Sequence, residues 1–310
     1  MRFTGRSRRD VGSEGAREGF DLWGQNGWPQ TDLVGESHYA REIRGLLPRR
    51  LGAGGEEVTT QVELRCEPGN KHDPNAVQVR ATTGIVGYLS REDAGRYCGP
   101  LGQIQGTGLT PLTSARIWGR DEEDYDTGKS RFVGSVRLDL PEPHMMLPLN
   151  TGPSVPFRLL PVGGAVRVTG EENHRDAVSP FLNTHGECWA YATVHPHQSS
   201  GAARKPCAEV RLDDQICGIL TPKMSGELLP VVDYLQERGE RTAVRAIVKG
   251  NRLKAEVVLY TARAHELKDD WFAAMGGTIA SPAADWYPDP HGLARLRYWD
   301  GRAWTEHVAD

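Results

Sequence analysis

The feature that most constrains the fold of this chain is an internal duplication. Residues 76–90 align with residues 207–221 without a gap, and residues 34–47 align with residues 169–182. The two offsets are 131 and 135 residues, which differ by a short insertion or deletion. A chain of 310 residues is too long for one compact core, so two related domains with the same order of elements are expected.

Both copies show the same pattern of short elements. Ser90 with Asp93 predicts a capped helix start in the first copy, and Thr221 with Pro222 predicts one in the second. Short alternating segments before and after these helices predict strands, and tight turns join them as antiparallel hairpins. The sequence therefore predicts a mainly β protein with short helices (α+β), built from two tandem small β-barrels.

Composition shifts along the chain predict the domain boundaries. Residues 141–161 contain six prolines and predict a semi-extended linker. A cluster of tryptophans near the C-terminus predicts a three-stranded mini-sheet organised around aromatic residues. The predicted order is a partly disordered N-terminal arm at 1–33, a first barrel at 34–140, the linker at 141–161, a degenerate second barrel at 162–263, a linker at 264–281 and a Trp-rich module at 282–308.

The charge balance and the apolar runs limit the classes of partner. Lys and Arg number 37 against 41 Asp and Glu, a formal net charge of −4, so no broad basic surface is available for nucleic acid or an anionic membrane. Residues 1–30 are rich in arginine but lack the apolar core of a secretory signal. Five widely spaced cysteines without a C-x-x-C pair indicate reduced thiols. A cytoplasmic protein with no membrane partner is expected.

One stretch of the first copy has a specific motif. Residues 64–79 read Leu-Arg-Cys-Glu-Pro-Gly-Asn-Lys-His-Asp-Pro-Asn-Ala-Val-Gln-Val, and residues 85–94 read Ile-Val-Gly-Tyr-Leu-Ser-Arg-Glu-Asp-Ala. With Val-Gly-Glu-Ser-His-Tyr at 34–39, they resemble the HIRAN domain over about residues 34–140. The resemblance implies a modified small barrel of the OB or SH3-like kind. Characterised members, attached to DNA-repair helicases, grip the 3′ end of single-stranded DNA.

The side chains of this motif suit the recognition of a nucleic-acid end. A carboxylate such as Asp73 accepts a hydrogen bond from a free 3′-hydroxyl, and an amide such as Asn70 can contact a sugar or a base edge. Aromatic rings can stack on bases, and Arg91 at a helix start can pair with phosphate. The predicted nucleic-acid site comprises His38, Tyr39, Asn70, His72, Asp73, Tyr88 and Arg91.

Other interpretations of these residues remain open. Asp73-Pro-Asn75 is also a turn signal, in which the Asp side chain bonds the backbone two residues further on. Arg65 is expected to brace the loop through Glu67. Ser37 stands where DNA-gripping HIRAN members carry an arginine, so a weakened or altered ligand preference is compatible with the motif.

The second copy lacks this loop and carries histidines instead, so it is not expected to bind the same ligand in the same way. A zinc site is a weak alternative there because the spacing lacks a paired C-x-x-C, and loop histidines and core thiols are favoured. No cofactor is therefore expected. The weak candidate metal ligands are His185, Cys188, His195, His197 and Cys207. The acidic run at 121–126 is interpreted as a solvated hairpin tip or, alternatively, as a divalent-cation site.

The tail has its own pattern. It reads Trp-Tyr-Pro-Asp-Pro, then Arg-Tyr-Trp-Asp-Gly, then Trp-Thr, and resembles a short module of unknown function common at the ends of actinobacterial proteins. Its aromatic residues either hold a very small core together or bind a protein partner. The predicted interaction tail comprises Trp286, Tyr287, Tyr298, Trp299 and Trp304.

No catalytic motif is present among those searched for, which included phosphate-binding loops, nucleophile elbows and zinc-protease helices. The ATPase that usually accompanies HIRAN in repair enzymes is not in this sequence. The leading hypothesis is a non-enzymatic adaptor that binds single-stranded DNA or its 3′ end through the first barrel. The alternatives are a protein-interaction scaffold that has lost DNA binding and a metal-dependent hydrolase or nuclease.

Overall fold

The computed structural model describes residues 18–123, 130–198, 206–251, 253–268, 271–272, 285–288, 296–299 and 304–309. Over these residues the protein is mainly β, as the sequence predicts, with two large sheets, one small sheet and a few short helices. None of the described helices is long and apolar enough to cross a membrane.

The first sheet closes into a six-stranded barrel. Its strands follow the order β6-β3-β4-β5-β2-β7, the pairing of β6 with β7 closes the circle, and β1 adds to β6 in parallel. Two α-helices, α1 (Ala40–Leu46) and α2 (Arg91–Gly106), pack on it. The strands are β1 (Gly19–Asp21), β2 (Thr31–Val34), β3 (Glu56–Cys66), β4 (Val77–Ala81), β5 (Gly84–Leu89), β6 (Thr110–Glu123) and β7 (Ser130–Leu138).

The second sheet repeats this order as a half-barrel. Its path is β12-β11-β10-β13-β14-β9, and β8 pairs with β13 in parallel. Where the first barrel pairs β2 with β5, a single bridge joins Thr169 to Ile219. The helices are α3 (Arg175–Val178) and α4 (Pro222–Gln236). The strands are β8 (Phe157–Leu159), β9 (Ala165–Arg167), β10 (Glu187–Gln198), β11 (Pro206–Leu212), β12 (Gln215–Ile219), β13 (Arg241–Gly250) and β14 (Ala255–Tyr260).

Short elements complete the fold. The C-terminal residues form a three-stranded antiparallel sheet in the order β15-β16-β17. Its strands are β15 (Asp285–Pro288), β16 (Leu296–Trp299) and β17 (Trp304–Ala309). Single turns of 3-10 helix lie at Glu36–Tyr39, Pro143–Met145, Glu171–Asn173, Ser179–Phe181 and Ala264–Glu266.

The predicted helix caps and hairpins are confirmed. The Ser90 hydroxyl accepts a hydrogen bond from the Asp93 amide at 3.1 Å, and the Thr221 hydroxyl accepts one from the Met224 amide at 3.4 Å. The strand register shifts at Val79–Arg80 in the first copy and at the matching pair in the second. Both copies therefore share a β-bulge, which bends the hairpin beside the helix start.

A Gly-Glu pair opens both copies for a structural reason. Gly35 and Gly170 adopt positive φ angles of 81° and 89°, which glycine tolerates best. Each is followed by a glutamate whose carboxylate accepts a hydrogen bond from a strand amide. Glu36 binds the Val136 amide at 3.0 Å, and Glu171 binds the Val257 amide at 3.1 Å.

This glutamate supplies the first testable prediction. In Glu36→Ala the amide of fully buried Val136 loses its acceptor, so the free energy of unfolding should fall by about 1–3 kcal/mol. Glu36→Gln keeps an acceptor and should stay within about 0.5 kcal/mol of the wild type at neutral pH. Urea denaturation of both variants would measure this, and equal losses in the two would contradict the role.

The same pair of variants predicts a pH dependence. Burial raises the pKa of Glu36 above its ordinary value of 4.5, so the ionised carboxylate disfavours the folded state. Wild-type stability should therefore decline relative to Glu36→Gln as the pH rises through and above 4.5. A constant difference between the two proteins across that range would contradict this expectation.

Two predicted boundaries need correction because apolar side chains draw the flanking segments into the cores. Residues 18–33 of the predicted arm include β1, β2 and the fully buried Leu22 and Trp23. The predicted linker includes β8 and the fully buried Met146, whose carbonyl accepts a hydrogen bond from the Trp23 amide at 3.0 Å. Residues 1–17 lie outside the described part of the chain.

The two barrels share an aromatic contact. The ring of Trp23 meets Trp189 and Tyr191 edge-on, at centroid distances of 5.9 and 4.7 Å. The Arg245 guanidinium lies 4.7 Å from the Trp23 ring centroid, within cation–π range. The predicted linker therefore lies beside a core to which both barrels contribute side chains.

Candidate functional site

The loop between β3 and β4 is built from two proline turns. The Asn70 amide binds the Glu67 carbonyl at 2.9 Å, and the Ala76 amide binds the Asp73 carbonyl at 3.0 Å. Pro68 and Pro74 occupy the second position of these turns, where a fixed φ favours the bend. The motif therefore specifies a loop of defined shape at the end of the hairpin.

Asn70 holds this loop together. Its Oδ1 accepts hydrogen bonds from the amides of His72, at 2.9 Å, and Asp73, at 3.3 Å. Its Nδ2 donates to Glu67 Oε2 at 2.9 Å. Both lone pairs of the amide oxygen are thus engaged inside the loop, which gives Asn70 a positioning role.

Asp73 has one oxygen in the turn and one facing the helix. Oδ1 accepts a hydrogen bond from the Asn75 amide at 2.9 Å, as the turn interpretation predicts. Oδ2 lies 3.8 Å from Arg91 Nε, an ion pair too long to be a hydrogen bond. The Asp73 side chain is 18% exposed and that of Arg91 is 83% exposed. The turn therefore accounts for one oxygen, and the other faces an exposed cation.

Two tyrosines form the aromatic part of the site. The ring centroids of Tyr39, at the end of the first 3-10 turn, and Tyr88, on β5, are 6.3 Å apart. The Tyr88 hydroxyl accepts a hydrogen bond from Gln78 Nε2 at 3.0 Å. Burial and the adjacent Tyr88 hydroxyl raise the pKa of Tyr39, so its ring stays neutral at physiological pH.

A hydrogen-bonded bridge joins the rings to the loop. Gln78 Nε2 also donates to Glu67 Oε1 at 2.6 Å, and Glu67 in turn holds Asn70. Gln78 is 7% exposed, and its neighbours Val77 and Val79 are fully buried. A polar residue between two core valines was the available sequence signal, but the sequence interpretation missed Gln78 and assigned Glu67 to Arg65 instead of to Asn70 and Gln78.

The structure brings together most of the predicted set. The contacts run continuously from Tyr39 through Tyr88 and the bridge to the loop and then to Arg91, whose NH2 also lies 3.5 Å from the His72 carbonyl. His38 is exposed on the same 3-10 turn as Tyr39, but no contact among the described residues joins it to this cluster. We call Tyr39, Tyr88, His72, Asp73 and Arg91 the end cluster.

The predicted brace from Arg65 to Glu67 is wrong. Arg65 pairs with Glu63 on the same strand at 2.8 Å. Side chains two residues apart lie on the same face of a strand, so this pairing needs no loop geometry. Glu67 is held by the two amides instead.

Two grooves lie on the barrels. One, of about 670 Å³, lies on the second barrel between residues 167–182 and 251–256. The equivalent groove of the first barrel, of about 490 Å³, lies between residues 35–43 and 131–134. Neither of these two grooves is lined by a member of the end cluster.

The second copy carries different side chains at the same positions. Gln78 and Arg80 correspond to Glu209 and Arg211, and Tyr88 corresponds to Ile219, which is 41% exposed. The aromatic pair is therefore not repeated. Residues 199–205, at the tip of the matching hairpin, lie outside the described residues.

The weak metal candidates have other partners. The ring of His185 stacks on His144 at 4.2 Å. The thiol of Cys188 lies 3.2 Å from the Phe181 carbonyl, and that of Cys207 lies 3.4 Å from the His197 carbonyl. Within the described part of the chain, no group of three or more His, Cys, Asp or Glu side chains could hold a metal ion. Of the acidic run, residues 121–123 end β6, and 124–126 lie outside the described residues.

The Trp-rich tail is described as backbone strands. Trp286 and Tyr287 lie on β15, Tyr298 and Trp299 lie on β16, and Trp304 begins β17. Trp299 and Trp304 are register partners. The contacts of these five side chains lie outside the described part of the structure.

Comparisons with known proteins give two findings and one negative result. The family model described as a protein of unknown function (DUF2510) matches residues 284–310. Among solved structures, the crystal structure of the HIRAN domain of human HLTF aligns at 22% identity and a TM-score of 0.15, over 35% of this chain and 73% of that one. A TM-score this low does not establish a common fold. The search of curated proteins found no match.

Proposed function

We propose that the first barrel binds the 3′ end of a single nucleic-acid strand, with DNA as the favoured ligand, and that the protein acts as a non-catalytic adaptor. The observation that carries the proposal is the juxtaposition in the end cluster. A pair of aromatic rings adjoins a carboxylate–guanidinium pair, and Gln78 and Glu67 link the two by hydrogen bonds.

The two halves of the cluster suit the two parts of a terminal nucleotide. Tyr39 and Tyr88 offer ring faces for the last bases, and such stacking contributes about 1–3 kcal/mol per base. Asp73 Oδ2 accepts a hydrogen bond from a free hydroxyl, and Arg91 pairs with the phosphate before it. An internal nucleotide would bring a phosphodiester against the Asp73 carboxylate, which repels it. The site therefore favours an end over the middle of a strand.

The acidic balance of the chain fits this mode of binding. A surface that grips many phosphates needs a broad basic field, but the end cluster contacts one or two phosphates through Arg91. For a single strand, each phosphate contact contributes a slope of about −0.7 to the dependence of log K on log salt. The slope expected here is therefore between about −0.7 and −1.4.

Asp73→Asn tests the proposal while preserving the loop. An asparagine keeps the acceptor for the Asn75 amide but removes the charged acceptor for the 3′-hydroxyl. In fluorescence anisotropy, affinity for strands with a free 3′ end should fall about tenfold, or about 1.4 kcal/mol. Asp32→Asn is the matched control, because Asp32 also pairs with an arginine, Arg137, but lies outside the end cluster. Equal affinities for both variants and the wild type would refute the role of Asp73.

A second candidate is a protein-interaction scaffold. It is favoured by the separate C-terminal sheet, by Ser37 in the opening motif and by a family match confined to the tail. In that case the protein would bind no single strand even at low salt, and Asp73→Asn would change nothing. The metal-dependent hydrolase or nuclease has less support, and elemental analysis of the purified protein for bound metal tests it.

A further inference from the structure

The second barrel carries a polar cluster where the first carries the Gln78–Glu67 bridge. The β10–β11 hairpin pairs Thr193 with Arg211 and His195 with Glu209. Alternate residues of a strand share a face, so all these side chains lie on one side of the hairpin together with His197. We call Thr193, His195, His197, Glu209 and Arg211 the histidine face.

A buried carboxylate organises this face. The Glu209 side chain is only 5% exposed. His197 Nδ1 lies 2.8 Å from its Oε2, and Arg211 Nε donates to its Oε1 at 2.5 Å. Burying an unpaired charge is strongly unfavourable, so the contacts with His197 and Arg211 stabilise Glu209 in this position.

The same contacts leave nitrogen atoms available toward solvent. His197 uses Nδ1 for Glu209, which leaves Nε2 on a side chain that is 41% exposed. His195 uses Nε2 for the Thr193 hydroxyl at 2.9 Å, which leaves Nδ1. Arg211, 33% exposed, uses Nε and NH2 for Glu209 and retains NH1.

The electrostatic environment at His195 is positive. Burial lowers the pKa of His195, and Arg211 and Arg241 lower it further, against smaller opposite effects of Glu209 and Asp214. Arg241 is itself paired with Asp214, at the turn between β11 and β12. The cations therefore outweigh the two carboxylates at this point, although one of those carboxylates is buried within the cluster.

At matching positions, the two barrels thus present side chains of opposite hydrogen-bonding character. At the end of β3 the first barrel has Glu67, a carboxylate that accepts from Gln78. At the matching position the second barrel has His197, an imidazole that donates to Glu209. The first site suits a hydroxyl and a base, whereas the histidine face presents N–H donors to an oxyanion.

We propose that the histidine face is a phosphate-binding site and that its ligand is a backbone or terminal phosphate of the strand held by the first barrel. The phosphate site stands on the residues of the second barrel alone. Its assignment to a nucleic-acid strand rests on the proposed function. Phosphate oxygens accept from Arg211 NH1, from His195 Nδ1 in the tautomer that carries its proton there, and from His197 Nε2 when that ring carries both protons, and Glu209 fixes the orientation of His197 and Arg211.

The site is tested first with inorganic phosphate. Histidine-ring NMR signals of the full chain are followed during a phosphate titration, with chloride at the same ionic strength as the reference. The signals of His195 and His197 should shift in a saturable manner, and that of exposed His265 should not. The absence of a saturable shift at His195 and His197 would overturn the proposal.

Two conservative substitutions separate binding from folding. An asparagine at position 197 places an amide near Nδ1, and a glutamine at position 195 places one near Nε2, so His197→Asn and His195→Gln keep the bonds to Glu209 and Thr193. Each single variant should retain the wild-type melting temperature and lose the phosphate-induced shift of the histidine that remains; the double variant, which combines the two substitutions, should also retain the wild-type melting temperature. His265→Asn is the matched control. A shift of the remaining histidine in both single variants that saturates at the same phosphate concentration as in the wild type would contradict the site.

The nucleic-acid source is tested with a strand of about 30 nucleotides, roughly twice the largest footprint of one OB-type barrel. The double variant should weaken binding of this strand about three- to tenfold. Phosphate shifts in the wild type without any loss of strand affinity in the double variant would contradict a nucleic-acid ligand. Loss of strand binding in the double variant but not in Asp73→Asn would leave this site standing and refute the proposed end reading.

Discussion

Trp23→Ala is expected to lower the free energy of unfolding by about 3–5 kcal/mol, the range for removing a large aromatic side chain from a core. Trp23 is 1% exposed and packs against Trp189, Tyr191 and the guanidinium of Arg245. Its removal opens a cavity between the two barrels that the surrounding side chains can fill only in part. Urea denaturation followed by circular dichroism measures the change.

The control for this substitution is Trp28→Ala. Trp28 lies on the following loop and is 63% exposed, so its loss should change stability by no more than about 0.5 kcal/mol. The wild type should unfold in one transition because the barrels share a core, whereas Trp23→Ala should separate the transitions of the two barrels. A single transition with little loss of stability in Trp23→Ala would show that the contact between the barrels contributes little.

Tyr88→Ala is expected to lower the affinity for single strands about ten- to a hundredfold, which corresponds to the loss of one stacked base. Tyr88→Phe should bind within about threefold of the wild type, because it keeps the ring and loses only the hydrogen bond from Gln78. Anisotropy titrations at one salt concentration compare the two. Tyr234→Ala, on α4 of the second barrel, is the control. Equal losses in Tyr88→Ala and Tyr88→Phe would show that the hydroxyl, and not the stacking surface, carries the effect.

The duplication was the most informative part of the sequence. It predicts the same order of strands and helices in both copies because the helix caps, the bulge and the Gly-Glu pair are local features with strong residue preferences. Gly35 and Glu36 illustrate the limit of such matching. Their recurrence at 170 and 171 indicates a shared role, but only the strand pairing shows that this role is a carboxylate bound to a strand amide.

The domain boundaries could not be placed correctly from composition. Prolines at 141–161 predict an extended spacer, yet Met146 and β8 in this segment are held by long-range contacts with Trp23 and β13. Such contacts join residues more than eighty positions apart. The composition of a short stretch of sequence cannot reveal such contacts.

Only part of the candidate site could be predicted, because the rest also depends on contacts between separate segments. Asp73, Tyr88 and Arg91 follow from a motif, but the bridge through Glu67 and Gln78 depends on the register between β3 and β4. The turn interpretation and the ligand interpretation of Asp73 also prove compatible. One oxygen serves the Asn75 amide, and the other faces Arg91.

The most direct test of the central claim is the binding of one strand with two different ends. Fluorescence anisotropy would compare a single strand with a free 3′-hydroxyl and the same strand with a 3′-phosphate, at the same salt concentration. We expect the free end to bind at least about tenfold more tightly, because the added phosphate removes the hydroxyl donor and brings negative charge against Asp73. Equal affinity for the two strands would contradict the recognition of a 3′ end by this protein.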